Sequence, residues 1–287
     1  MKTEGSKIIN LDVLEGLSLI PSESIDCIIT SPPYWNLRTY GSDDEIGSEK
    51  TSEEYIMRLT NIFVLCKRIL KPAGTMWINL GDSYGKNKEL LLLPSKLAIS
   101  LQENGWILRN DIIWHKPNPM PQAVKDRLTN CYEHIFFFVK NKTYFYDQDS
   151  IRVPVKRGTP QAERDYKRML KGRQEFNGLR ANNKNKGQNS FVGGDPLKGA
   201  NKKDVWTVTT TSSKKVHFAT FPEELIRPCI KAGCPKGGIV LDIFAGTGTT
   251  MKVALQEQRQ SIAIELNSEY IEYIENIKKN GVQEVLL

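Results

Sequence analysis

Cysteine and histidine are scarce in this chain, five of the former and three of the latter in 287 residues. Cys27, Cys66, Cys131, Cys229 and Cys234 are scattered, with no pair at Cys-x-x-Cys spacing and no histidine placed to complete a metal set. That pattern excludes a disulfide framework and a zinc site, and it leaves reduced, mostly buried thiols with no metal expected. Long apolar runs are also missing. None approaches the roughly 18 residues a membrane span needs, so no membrane partner is expected. The opening residues, Met1 to Lys7, lack the apolar stretch of a secretion signal, which makes the cytoplasm the expected compartment. No internal repeat is present, so a solenoid is excluded.

What is present is enough apolar material for a packed core, 39% hydrophobic and 9% aromatic residues. The formal charge of +7 is unevenly spread. Residues 150–204 hold 14 Lys and Arg against 5 Asp and Glu, so this one segment carries more positive charge than the whole chain. A concentrated basic segment suits a polyanionic partner. From charge alone, a solvated loop kept soluble by its lysines fits equally well. The same stretch contains the polar tract Asn182–Asn189 and the turn cluster Gly193-Gly194-Asp195-Pro196. About 55 residues without apolar periodicity exceed an ordinary connection. We therefore read 150–204 as an insertion into a domain made of residues 1–149 and 205–287.

The outer parts alternate between strand and helix patterns. β-rich runs occur at Lys7–Leu11, Ile25–Thr30, Thr75–Leu80, Asp111–His115, Ile135–Val139, Gly238–Phe244 and Ser261–Glu265. Several are continuous apolar runs, the mark of strands covered on both faces. Helical periodicity falls at Glu53–Leu70, Leu90–Asn104, Pro222–Ala232, Met251–Gln258 and Ser268–Lys279. The alternation predicts an α/β domain with a mainly parallel, seven-stranded sheet between helices.

Two motifs carry chemistry. In the first, a buried strand runs from Gly237 through Asp242 into Ile243-Phe-Ala-Gly-Thr-Gly-Thr-Thr250, a glycine turn that opens a helix. Gly246 and Gly248 let the backbone turn tightly against a ligand, and the helix N-terminus offers N–H groups to an anion. Glu265 ends the next strand, where a carboxylate can accept from ribose hydroxyls. Together these describe a nucleoside-cofactor site. Met251 stands where the dinucleotide fingerprint needs its third glycine, which disfavours NAD. In the second motif, Ser31-Pro32-Pro33-Tyr34 follows the strand Ile25–Thr30. Two prolines lock φ, remove two N–H donors and keep the preceding residues extended. The result is a stiff loop that presents a hydroxyl, a carbonyl and an aromatic ring at the ligand-bearing end of a strand.

These residues resemble the amino-methyltransferase family of DNA modification enzymes. Its cofactor loop reads Asp-Pro-Phe-Ala-Gly-(Ser/Thr)-Gly-Thr-Thr, and here Ile243 replaces the proline. Its catalytic tetrapeptide reads (Asp/Asn/Ser)-Pro-Pro-(Tyr/Phe/Trp), and the Ser form is commoner in N4-cytosine enzymes. The order of catalytic loop, variable region and cofactor loop resembles the permuted β class. The resemblance implies a Rossmann-like methyltransferase fold and S-adenosylmethionine as cofactor. It implies Ser31, Pro32, Pro33 and Tyr34 as catalytic residues. Its cofactor contacts fall on Asp12, Phe221, Pro222, Asp242, Phe244, Ala245, Gly246, Thr247, Gly248, Thr249, Glu265 and Asn267. Asp12 has a second reading, as a helix cap. The insertion lies where the class places target recognition, with Lys156, Arg157, Arg164, Lys167, Arg168, Arg173 and Arg180 as DNA contacts. The implied substrate is double-stranded DNA, the implied base a cytosine flipped from the stack, and the implied setting restriction–modification beside a cognate endonuclease. N6-adenine methylation is the alternative product, with RNA methylation and non-catalytic DNA binding behind it. Cytosine-C5 chemistry is disfavoured, because the lone Pro-Cys pair, Pro228-Cys229, sits in a predicted helix. The recognition sequence and the oligomeric state are not legible.

Overall fold

The computed structural model describes residues 5–36, 45–154, 199–210 and 221–280. In chain order its elements are β1 (Lys7–Ile9), α1 (Val13–Ser18), β2 (Ile25–Thr30), α2 (Ser52–Ile69), β3 (Leu70–Leu80), α3 (Leu93–Glu103), β4 (Ile107–His115), β5 (Tyr132–Val139), β6 (Val205–Thr207), α4 (Glu223–Gly233), β7 (Ile239–Asp242), α5 (Thr249–Gln256), β8 (Gln260–Ile264) and α6 (Ser268–Asn280). The eight strands form one sheet in the order β1-β8-β7-β2-β3-β5-β4-β6. Pairing is parallel throughout, except that β5 runs antiparallel to both β3 and β4. The sheet has one strand more than the seven expected. The addition is β6, three residues at the sheet edge, of which only Trp206 is buried. A run that short has no period to detect.

The central strands form because their residues satisfy both faces of the sheet at once. All six positions of β2 are buried. Alternate residues then feed opposite layers, as the two-residue period of a strand demands. Ile28, Met76, Ile78, Phe136 and Phe138 join the core under α1, α2 and α3. Cys27, Ile29, Trp77, Ile135, Phe137 and Val139 join the core under α4 and α5. Trp77 and Phe137 stack with their ring centroids 4.0 Å apart. A third cluster, of Ala245, Met251, Ala263 and Ile274, seats α6 beside α5.

Helix α2 starts where the sequence says it should. The Thr51 hydroxyl accepts from the Glu54 N–H, and the Glu54 carboxylate accepts from the Thr51 N–H, a reciprocal cap. At the other end, Arg68 donates to the carbonyls of Leu17 and Ile20 and ties α1 down. The Lys71-Pro72-Ala73-Gly74 run ends this helix but also opens β3, so helix and strand meet with no loop between them. The pairing of β2 with β3 accommodates the run by a register shift between Ile25 and Cys27.

The chain divides into two compact units, residues 1–150 with 203–287, and residues 151–202. In the second unit the described residues include a bridge in which Val153 and Ala200 exchange backbone hydrogen bonds of 2.8 and 2.9 Å. Among the described residues, no helix is long and apolar enough to cross a membrane.

Candidate active site

Five parallel strands, β1, β8, β7, β2 and β3, deliver their C-terminal ends to one edge of the sheet. The antiparallel β5 brings its N-terminal end to the same edge, with His134 opposite Leu80. Most of the candidate residues follow these ends directly.

Asp242 closes β7 and is 2% exposed. Its Oδ1 accepts from the Thr30 hydroxyl at 2.6 Å and from the Phe244 N–H at 3.1 Å. Its Oδ2 accepts from the Thr250 hydroxyl at 2.5 Å. Burial pushes this carboxyl up from its ordinary value, and the Thr250, Thr30 and Phe244 donors oppose the shift. The Thr30 bond couples the last residue of β2, which leads into Ser31–Tyr34, to the last residue of β7, which leads into the glycine turn.

The two glycines of that turn serve different ends. Gly248, at φ +86°, would place a Cβ 3.1 Å from the side chains of Ile274 and Ile277, so its smallness lets α6 close. Gly246, at φ +52°, has no described atom within 4 Å of where a Cβ would stand. The backbone is open there. Its N–H donates to Glu265 Oε2 at 2.7 Å, while Glu265 Oε1 accepts from the Asn267 N–H at 2.9 Å. Glu265 is thus fixed beside the open side of the turn, and each oxygen retains lone-pair capacity for a further donor. Gly248 caps α5 without a side-chain bond, leaving first-turn N–H groups for an anion. Room, carboxylate and helix terminus fit the ribose and methionine ends of S-adenosylmethionine.

Asp12 sits after β1 at the same edge, and its carboxylate accepts from the Leu14 N–H at 2.8 Å. The capping use is the one displayed. Pro222 is the N-cap residue of α4, and Phe221 packs on the adjacent core cluster. Glu223 pairs with Lys252 at 2.8 Å, which brings the start of α4 beside the first turns of α5. Cys229 lies inside α4 at 1% exposure, buried in the core and away from any nucleophilic role. Lys156, Arg157, Arg164, Lys167, Arg168, Arg173 and Arg180 lie outside the described residues.

The Ser31–Tyr34 loop is held from several sides. Tyr55, fully buried on α2, donates to the Pro33 carbonyl at 2.8 Å. The Tyr34 hydroxyl donates to Glu133 Oε2 at 2.7 Å. Burial and the neighbouring Glu133 charge hold the Tyr34 phenol well above its usual value, with the Ser31 hydroxyl pulling the other way. Motif reading does not single out Tyr55, nor the pairings of Thr30 with Asp242 and of Tyr34 with Glu133. His134 pairs with Asp111 at 2.8 Å and stacks on Phe136.

Replacing Glu265 with Ala is expected to weaken S-adenosylmethionine binding about tenfold, the scale of one lost hydrogen-bond pair to a charged group, with the fold intact by circular dichroism. Burial raises the Glu265 carboxyl, against the Asn267 and Gly246 N–H groups. Binding that needs the ionised form is present above that raised pKa and lost as pH falls through it. The loss should therefore begin at a higher pH than for an ordinary glutamate. Calorimetry across pH checks both, and unchanged affinity in the variant would make Glu265 a structural brace for Gly246 only.

Comparison with known proteins bears on this arrangement. The model of a family described as DNA methylase, covering N6 and N4 methyltransferases, matches residues 25–276. The Type II methyltransferase M.Cfr9I of Citrobacter freundii is 37% identical over 304 residues, spanning 96% of this chain and 88% of the relative. Among solved structures, PvuII DNA methyltransferase (cytosine-N4-specific) superposes with a TM-score of 0.66 at 20% identity, covering 95% of this chain and 91% of that one. The M1.HpyAVI–SAM complex superposes with a TM-score of 0.59 at 20% identity, covering 96% and 98%. The fold is the Rossmann-like methyltransferase fold.

Proposed function

This chain belongs to the DNA methylase family, and we propose that it transfers the methyl group of S-adenosylmethionine to N4 of a cytosine flipped out of duplex DNA. The observation that carries the reading is the Thr30–Asp242 bond, which ties the Ser-Pro-Pro-Tyr loop to the glycine turn across two adjacent parallel strands. It holds an acceptor-bearing loop beside a nucleoside-cofactor turn, the juxtaposition that in-line methyl transfer requires.

The residues divide the work. Glu265 would accept from the ribose hydroxyls of S-adenosylmethionine, and the first-turn N–H groups of α5 would hold its methionine carboxylate. Bound S-adenosylmethionine supplies an activated methyl. An exocyclic amine is a poor nucleophile, because its lone pair is delocalised into the ring. The Ser31 hydroxyl and the Pro32 carbonyl accept its two hydrogens and favour the pyramidal nitrogen. That stabilisation develops only in the transition state, where it raises the rate. Tyr34 supplies a ring against the base. Cytosine is favoured over adenine by Ser31 in the tetrapeptide and by the cytosine-N4 specificity in the name of PvuII methyltransferase. N6-adenine methylation is the second reading, since both amines need the same two acceptors. The Type II relatives support a restriction–modification setting with a partner endonuclease. The basic segment, with Lys156, Arg157, Arg164, Lys167, Arg168, Arg173 and Arg180, is assigned to the DNA.

Labelled methyl transfer tests the substrate class. Duplex DNA carrying many sequences should accept label from S-adenosylmethionine, with incorporation falling steeply as salt rises. Transfer to structured RNA in place of DNA would overturn the assignment.

A further inference from the structure

Glu133 is a carboxylate with three donors from three different parts of the sheet edge. Its Oε2 accepts from the Tyr34 hydroxyl at 2.7 Å and from Asn79 Nδ2 at 3.1 Å, and its Oε1 accepts from Lys116 Nζ. The ion pair is largely enclosed, with side-chain exposures of 19% for Lys116 and 14% for Glu133. Lys116 is itself fixed. Its Nζ lies 4.2 Å from the centroid of the Trp114 ring, and its N–H donates to the Cys131 carbonyl at 2.7 Å. Asn79 also donates to the His134 carbonyl at 3.1 Å, which locks its amide toward the carboxylate. An enclosed ion pair is poor evidence for added stability, because desolvation offsets the attraction. Its use here is geometric. On the remaining side, a Cβ at Gly81 would stand 2.8 Å from Tyr34 Cε2 and 3.3 Å from Glu133, so glycine at that position lets the ring lie against the strand. Tyr34 is therefore held at its hydroxyl and along one edge.

We infer that Glu133, braced by Lys116 and Asn79, is the positioning residue that sets the Tyr34 ring against the target base. This rests on the reading of Ser31–Tyr34 as the loop that receives the base. Glu133 reaches the Ser31–Tyr34 loop through the phenol and acts on the base through it. A tetrapeptide ending in phenylalanine could not be held in this way, so the device belongs to the tyrosine form.

A double-mutant cycle on the full-length protein tests the inference, read as single-turnover methyl transfer to duplex DNA with cofactor affinity measured in parallel. Tyr34→Phe removes the donor and keeps the ring, and Glu133→Gln removes the charge and sets an amide against Lys116. Each alone should slow transfer about tenfold, the scale of coupling between touching side chains. KM for DNA and affinity for S-adenosylmethionine should change little. The double variant should be no slower than Tyr34→Phe alone, because the Glu133 change acts through a phenol that variant already lacks. Glu133→Asp keeps the pair with Lys116 but draws the acceptor back from Tyr34. It serves if Glu133→Gln fails to fold, and should slow the wild-type background and not the Tyr34→Phe background. Wild-type rates in the Glu133 variants, or effects that multiply with Tyr34→Phe, would overturn the role of Glu133 and leave the site assignment intact. A wild-type protein that binds cofactor and transfers no methyl to DNA would overturn the site reading and this inference with it.

Discussion

Replacing Ser31 with Ala is expected to slow single-turnover methyl transfer by about 10²- to 10³-fold, the loss measured for one transition-state hydrogen-bonding group in a preorganised site. The loop itself should survive the change. Pro32 and Pro33 keep the backbone restricted, and the Pro33 carbonyl is held by Tyr55 from α2. Cofactor affinity should be unchanged within about twofold, because the contacts assigned to S-adenosylmethionine lie after β1, β7 and β8, in the glycine turn and at the starts of α4 and α5, and the variant leaves Asp242 and Glu265 with the partners they have now. A loss confined to the chemical step separates an interaction made in the transition state from uniform binding. Rapid-quench kinetics with saturating enzyme makes the measurement. A rate equal to wild type would remove the Ser31 hydroxyl from the mechanism and leave the Pro32 carbonyl as the acceptor in question.

The second large effect is expected at Asp242, and it falls on stability. Asp242→Ala leaves the Thr30 and Thr250 hydroxyls and the Phe244 N–H without their acceptor in a site that is 2% exposed. Each unpaired buried group costs about 1–3 kcal/mol, but removing a desolvated carboxylate gives part of that back. Burial outweighs the three donors in setting the direction of the Asp242 shift. We therefore expect a net loss of about 3 kcal/mol for Ala. Asp242→Asn should lose less, since an amide can accept from one threonine and donate to the other. The pH dependence has a definite sign. The folded pKa lies above the unfolded one, so the contribution of this group is fully present below the unfolded pKa and is lost as pH rises through the folded one. The advantage of wild type over Asp242→Asn in urea denaturation should shrink as pH rises across that window. An advantage that grows with pH would mean the ionised form is the stabilised one.

The fold was largely legible because its central strands are buried on both faces. Ile135–Val139 is a continuous apolar run and Ile25–Thr30 is one broken only by Asp26, which pairs with Lys71, and every residue of both is buried. The misses are short or composite. Helix α1 spans six residues, too few for a period, although its cap Asp12 is visible in the sequence. Strand β6 buries one side chain of three. Helix α2 stops before Lys71-Pro72-Ala73-Gly74, but the same run also opens β3, which begins at Leu70 and not at Thr75 as expected. In the candidate site, the residues on contiguous motifs were legible and those acting across the sheet were not. Glu133 sits 99 positions from Tyr34 and 17 from Lys116. The antiparallel register of β5 on β3, with His134 opposite Leu80, and on β4, with Glu133 opposite Trp114, sets these groups together. Thr30 and Asp242 are 212 positions apart and meet because β2 and β7 are neighbours.

The most direct test is mass spectrometry of nucleosides from duplex DNA methylated in vitro by the purified protein with S-adenosylmethionine. The expected product is N4-methylcytosine, absent from reactions with the Ser31→Ala variant quenched at equal times. N6-methyladenine as the sole product, or DNA left unmodified by a folded protein that binds S-adenosylmethionine, would contradict the assignment of Ser31–Tyr34 as a cytosine-N4 methylation site.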